Sequence, residues 1–312
     1  MLKHLVDWFN ANDFDHHAKA LYGCGRKSVI LSDELNHQFA RPIRCHRIFC
    51  PTCGEKDSES HNRRYGRAWD RLVPFQTLGY VVLTIPEEWR DRFRNQAELR
   101  SLHKLAWECV ERVFGAEGGM TALHFFGDKS GKYHPHANIL FPIFGKAFVG
   151  MDKLFELRHV WREILEEYLG VKIPFDKENA YYGYAKTMAR KIHKVKYVTR
   201  SSIPAQLFLK LDEQDKQLIA GLFRFHNQRW WGKLSNRLYA TYLEELQRQG
   251  RISDYQPKRS EFTCPICNQK LISSGVIGLC LDRASPNEWI PTGQGGLYAN
   301  VPTFIALRQK RE

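Results

Sequence analysis

Two segments of this chain of 312 residues concentrate side chains able to bind a cation. One is KYHPHANILFP, residues 132–142. Read as a strand, in which residues two apart share a face, it turns His134, His136 and Asn138 to one side and Ala137, Ile139 and Phe141 to the other. His124, in the preceding MTALHFFG, can reach the same side from a paired neighbouring strand. Imidazoles with an amide oxygen and no thiolate suit Mn2+ or Mg2+, with coordination positions left open for a phosphate. A single histidine in a strand is ordinarily a satisfied polar residue. Several converging from two strands fit that bland reading less comfortably.

The other segment holds Cys24, Cys45, Cys50 and Cys53, in YGCGRKSV and PIRCHRIFCPTCGEK. The CPTC turn aims two thiolates at one point, and four thiolates fit tetrahedral Zn2+ in a module too small to build its own core. His46 is a substitute ligand, and scattered reduced thiols are the alternative. Arg41, Arg44 and Arg47 flank the cluster, either to touch phosphate or simply to be solvated. Cys264, Cys267 and Cys280 form a possible second zinc group whose fourth ligand must be Asp282 or come from elsewhere. The alternative there is a degenerate knuckle without metal. Cys109 lies in an amphipathic helical pattern and reads as a small buried apolar group.

The surrounding elements follow from periodicity. QTLGYVVLTIP reads as a strand ended by Pro86, and a helix follows around 97–115. MTALHFFG and KYHPHANILFPI read as strands joined by the turn DKSGK. MDKLFELRHVWREILEEYLG is an amphipathic helix, and KENAYYGYAKTMARKIHKVKYV reads as a second helix with a basic face. Further helical stretches fall near 212–224 and 233–249. Strands alternating irregularly with long helices predict an α+β fold with a largely antiparallel sheet flanked by helices. The expected organisation is an N-terminal zinc module over 1–73, a central domain over 74–205, a helical extension over 206–258 and a small C-terminal Cys-containing module over 259–312.

Net charge is +13, which favours a polyanionic partner such as nucleic acid. No apolar run reaches the roughly 20 residues of a membrane-spanning helix. The opening MLKHLVDWFNANDFDHH lacks the pattern of a signal peptide, so a cytosolic protein without membrane partners is expected.

Several segments resemble the HUH endonuclease superfamily, which includes rolling-circle replication initiators and rolling-circle insertion-sequence transposases. VVLTIPEEW is similar to its first motif strand. HFFGDKSGKYHPHANILFP is similar to its second, and KVKYVTRS to its third, which carries a nucleophilic tyrosine. CHRIFCPTC resembles the zinc module ahead of the nuclease, and RFHNQRWWGKLSNR followed by CPIC resembles the region after it in the transposases. The matches occur in family order and span most of residues 20–270. The resemblance implies an HUH nuclease core, a catalytic Mn2+ or Mg2+, structural Zn2+, and a DNA strand nicked through a covalent 5′-phosphotyrosine. Partners would be single-stranded or hairpin DNA at an origin or element end, and host replication machinery. Residue by residue, His136 falls on the first family histidine and Asn138 on the second, which is a departure. Ala137 replaces a bulkier apolar residue. His124 takes the place of a third ligand, with His134 in reserve on the same face.

The same register makes Tyr197 the nucleophile. A free phenol ionises near a pKa of about 10, so cations must assist, and Lys194, Lys196 and Arg200 lie beside Tyr197 in sequence. His193 stands where paired-tyrosine members carry their other tyrosine, and could activate water as a base. Tyr181, Tyr182 and Tyr184 compete with Tyr197, or else stack on bases or pack in the core. For DNA contacts, Lys186, Arg190 and Lys194 recur every four residues, widened by Lys191 and Arg200. Arg229, Trp230, Trp231, Lys233 and Arg237 interleave cations with aromatics, as a single-strand binder does or as a helix seam with core tryptophans would. The lone tyrosine favours an initiator, whereas the first motif and RWWGKLSNR favour a transposase. A non-catalytic DNA-binding regulator, argued from Asn138, and an RNA-binding zinc protein are the readings from other classes.

Overall fold

The computed structural model describes residues 1–35, 37–54, 58–127, 131–145, 151–174, 179–201, 203–222, 225–253, 269, 271–277, 289–291 and 297–300. The chain forms two compact units: residues 1–67, 203–210 and 258–312 make the first, 68–202 and 211–257 the second. Among the described residues no helix is long and apolar enough to cross a membrane.

The first unit opens with helices α1 (Leu2–Ala11) and α2 (Asp15–Gly23). Phe9 is fully buried, its ring centroid 4.8 Å from Phe49 and 5.2 Å from Phe208. A hairpin follows, β1 (Ser28–Ser32) and β2 (Gln38–Pro42). Asp33 shapes its turn: one carboxylate oxygen accepts from the backbone N–H of Leu35 and His37, the other meets the His37 ring at 2.8 Å. Helix α3 (Glu59–Leu72) carries the chain from the first unit into the second.

The second unit is α+β, with a five-stranded antiparallel sheet flanked by helices. Its strands are β3 (Thr77–Thr84), β4 (Gly118–Phe126), β5 (Tyr133–Ile143), β6 (Ala180–Ala185) and β7 (Gln228–Gly232), in spatial order β6-β3-β5-β4-β7. Helices α4 (Gln96–Phe114) and α5 (Met151–Leu169) cover one face. The Trp107 indole N–H donates to Thr121 Oγ1 at 2.9 Å, the Trp161 indole N–H donates to the Thr84 carbonyl at 2.9 Å, and Phe114 packs on Phe141 and Tyr182. Asn95 caps the start of α4 by accepting from the Glu98 N–H, and Gly115 ends it at φ 61°. Cys109 is fully buried on this helix, as its pattern predicts. Gly79 sits opposite Phe141, where a Cβ would come within 2.4 Å of the Phe141 ring. The other face carries α6 (Met188–Thr199), begun by Thr187, whose side chain accepts from the Arg190 N–H. Helices α7 (Ala205–Lys210), α8 (Glu213–Gly221) and α9 (Tyr239–Arg248) follow; α7 belongs to the first unit, α8 and α9 to the second.

The sheet of the first unit has the order β8-β1-β2-β10-β9, with β8 (Ile272–Ile277), β9 (Trp289–Pro291) and β10 (Leu297–Asn300). The residues expected as a separate module over 259–312 therefore contribute strands to the N-terminal one. Each hairpin strand has an outer row of N–H and C=O groups that needs partners, and the late strands supply them. The continuous helix expected over 177–198 is instead a strand and a shorter helix. AYYGYA, rich in tyrosine, pairs along its length with β3, and Thr187 starts the helix only afterwards. RWWG, within a stretch read as single-strand contact or helix seam, is an edge strand paired with β4.

Candidate functional site

The cysteine quartet assembles within the first unit. Cys24 follows α2, and Cys45, Cys50 and Cys53 follow the hairpin. Their ligand atoms all lie within 4.8 Å of one another. The Sγ atoms of Cys24 and Cys53 are 3.5 Å apart, those of Cys24 and Cys50 3.7 Å, and those of Cys45 and Cys53 3.8 Å. A disulfide would need about 2.05 Å. A tetrahedron with Zn–S bonds of about 2.3 Å has edges of about 3.8 Å, so the spacing suits a metal such as zinc. The Cys24 thiol is pushed far below its usual range by hydrogen bonds from the other three sulfurs, while Cys45 is pushed up by the same sharing. The knuckle needs Gly54, since a Cβ there would lie 1.9 Å from the Ile48 carbonyl oxygen. The His46 ring instead meets Ser60 Oγ at 3.3 Å. Cys264, Cys267 and Cys280 lie outside the described residues.

The histidine site occupies the α6 face of the sheet in the second unit. His124 and His136 are direct partners across β4 and β5, with ring centroids 5.5 Å apart. Asn138 pairs with Ala122 one step along, on the same face. Just past the histidine pair the register slips, leaving one extra residue on β5 by His134 and Pro135. Proline cannot donate to the ladder, and a bulge there re-aims its neighbours. The His134 ring stays 5.3 Å from that of His136.

Each central imidazole has one nitrogen on a backbone carbonyl. His136 Nδ1 donates to the His134 carbonyl at 2.7 Å, and His124 Nε2 faces the Val198 carbonyl at 3.4 Å. A carbonyl only accepts, so these contacts place the lone pairs on His136 Nε2 and His124 Nδ1, the arrangement that orients a metal-binding imidazole. His124 Nδ1 is buried and makes no hydrogen bond. Burial, then His136 and Arg200, pushes His124 down to about 3, and burial, then Arg90 and His136, pushes His134 down to about 4. Both are neutral near pH 7, as metal ligands must be.

Asn138 is fully buried, and its Oδ1 accepts from the Tyr80 hydroxyl at 2.8 Å while Nδ2 has no partner. His124 and His136 thus bring two imidazoles beside the Asn138 amide, whose oxygen is engaged by Tyr80. Among the described residues only the cysteine quartet brings three or more His, Cys, Asp or Glu ligand atoms within 4.8 Å of one another.

Tyr197, on α6, has its ring 5.7 Å from that of His124, and the Arg200 guanidinium carbon lies 4.1 Å over the Tyr197 ring. His193 and Lys196 are exposed on the same helix. Of the other tyrosines, Tyr182 is buried against Phe114, Tyr184 lies under the Lys186 ammonium and Tyr181 is half-exposed.

The basic stripe is rearranged. Lys186 precedes α6, so the four-residue spacing to Arg190 does not place the two on one helix face. Lys191 is turned inward, 5% exposed, and its ammonium donates to the Phe75 carbonyl at 3.0 Å. Arg190 is exposed, and Lys194 lies 4.0 Å over the Tyr80 ring. Trp231 is 5% exposed and stacked on Trp107, which makes it core. Trp230 is half-buried beside the Arg71 guanidinium, and Lys233 pairs with Glu117 at 2.6 Å. Arg229 is half-buried, and Arg237 is exposed. A cavity of about 630 Å³ lies at the other end of the sheet, lined by Phe114, Phe141, Tyr182, Tyr242, Lys153 and Arg251. None of the candidate metal ligands borders it. Tyr80 is the participant that sequence reasoning missed; it lies in the strand pattern GYVV, which gives no sign of a polar partner.

No family model, curated protein or solved structure matches this chain.

Proposed function

We propose that the chain is a single-tyrosine DNA-nicking enzyme of the HUH type, an initiator of rolling-circle replication. The observation that carries this reading is the grouping of His124, His136 and Tyr197 on one face of the sheet. A divalent cation held by His124, His136 and the Asn138 amide would neutralise phosphate oxygens and polarise the phosphorus. The phenol oxygen of Tyr197 attacks phosphorus, the P–O3′ bond breaks, and the departing oxygen takes up a proton to become a free 3′-hydroxyl. The 5′-phosphate remains on Tyr197. Arg200 supplies positive charge beside the phenol. His193, one helical turn before Tyr197, would take a proton from water or a returning hydroxyl when that bond is broken.

The insertion-sequence transposase of the same superfamily remains a reading of this chemistry; whether the coding region adjoins an origin or lies between element ends separates the two. One observation favours a DNA-binding regulator on the same scaffold: Asn138 Oδ1 is engaged by Tyr80 rather than aimed at the histidines. Incubation with Mn2+ and labelled single-stranded DNA, followed by mass spectrometry of the peptides, decides between enzyme and regulator. The nicking reading expects a DNA adduct on the Tyr197 peptide that Tyr197→Phe, His124→Ala and His136→Ala abolish. No adduct from the wild-type chain, or one that survives in Tyr197→Phe, refutes it.

A further inference from the structure

Tyr181 is a large aromatic side chain left 52% exposed beside the histidine site. It pairs with Val82, which pairs with Asn138, so all three share one sheet face. Two strand spacings separate Tyr181 from Asn138, about 10 Å. Its ring is held from two sides. Tyr80 meets it edge-on, with centroids 6.0 Å apart and planes at 63°. Beneath it lies Gly183, two residues along the strand, where a Cβ would come 2.9 Å from the Tyr181 hydroxyl and 3.4 Å from its ring carbons. Glycine therefore leaves room for the hydroxyl end of the ring, and half of the side chain is exposed. The Lys194 ammonium stands 4.0 Å from the Tyr80 ring centre and 6.0 Å from that of Tyr181. Arg190 is exposed nearby in the chain.

We propose that Tyr181, seated on Gly183 and braced by Tyr80, is a stacking platform for one nucleobase of single-stranded DNA. This rests on the nicking reading for its substrate: the base would adjoin the phosphate presented beside His136. An exposed aromatic ring suits any base, because every base offers a π-face, and the Lys194 ammonium suits a flanking phosphate. A duplex keeps its bases stacked on each other, so the platform selects strands that are already open.

Fluorescence anisotropy tests this in a Tyr197→Phe background, where cleavage cannot consume the probe. The probes are labelled oligothymidylate of about 15 nucleotides, a backbone-matched abasic strand, and oligouridylate of the same length. Tyr181→Ala weakens oligothymidylate binding by about 5- to 100-fold, and Tyr181→Phe keeps it. Gly183→Ala tilts the ring and weakens binding partially, and the double variant Tyr181→Ala/Gly183→Ala binds no worse than Tyr181→Ala. On the abasic strand the Tyr181→Ala effect vanishes. Unchanged thermal melting of Tyr181→Ala assigns the loss to contact rather than to folding. An equal loss on the abasic strand, an unaffected Tyr181→Ala, or tighter Tyr181-dependent binding of oligouridylate overturns the proposal. Because no arm reads cleavage, a failure of the nicking chemistry leaves these outcomes distinct.

Discussion

Replacing Tyr80 with phenylalanine removes one oxygen and nothing else from the site. The ring stays, so its contacts with Lys194 and Tyr181 are kept. What goes is the donor to Asn138 Oδ1, in a side chain with no exposed surface whose Nδ2 already lacks a partner. Both ends of a buried amide are then unsatisfied, at a cost of about 1–3 kcal/mol. For a unit of roughly 180 residues, each kcal/mol lowers the melting temperature by about 2–4 °C, so a central estimate is a fall of about 6 °C. The sign of a second change makes the test sharp. Tyr80→Phe/Asn138→Leu deletes both polar partners and should melt above Tyr80→Phe alone, because no stranded amide remains. Thermal unfolding followed by near-ultraviolet circular dichroism reads both. A Tyr80→Phe protein melting within about 1 °C of wild type, or a double variant less stable than the single one, refutes the reasoning.

Cys53→Ser should carry one metal ion fewer per chain than wild type by elemental analysis, with loss of cooperative folding in the first unit; unchanged metal content would exclude the quartet as a site. Arg190→Ala should weaken single-strand binding evenly across sequences and lower the salt slope by about 0.7–1, read from titrations at several salt concentrations. Lys191→Met should leave that binding alone and destabilise the fold by about 1–3 kcal/mol in urea, because it strands the buried Phe75 carbonyl. His103 is buried, and burial, then Arg229, pushes its pKa down to about 3. The unfolded chain, with a histidine pKa of about 6.5, binds that proton first, so the stability due to neutral His103 is complete above pH 6.5 and falls as the pH drops toward 3, by up to about 1.4 kcal/mol per unit. Urea midpoints for His103→Leu should therefore decline less between pH 7 and 5 than those of wild type; parallel declines would contradict this.

The central strands and the two helices packed on them were legible because their signals are local. Period-two alternation marks KYHPHANILFP, and Asn95 and Gly115 punctuate α4. That His124 reaches the side of His136 followed from the hairpin, while their direct pairing is set by a register the sequence did not show. What the sequence hid depended on partners distant in the chain. AYYGYA runs straight into a basic helical pattern, and only pairing with β3 makes it a strand. Trp231 looks like a stacking residue until Trp107 covers it, and Lys191 looks like a phosphate contact until the Phe75 carbonyl claims its ammonium. Tyr80 was invisible because nothing in GYVV announces a buried amide two strands' worth of sequence away.

The interleaving of early and late strands sets an order of events during synthesis. The hairpin at 28–42 emerges early, yet its outer hydrogen-bond partners begin at Ile272. At roughly 5–20 residues per second, that gap leaves two open strand edges for about 10–50 s on a translating ribosome. Over that interval the nascent chain can recruit any extended segment that offers a matching row of backbone groups. A recombinant fragment stopping near residue 257 would stay in that condition permanently and should self-associate.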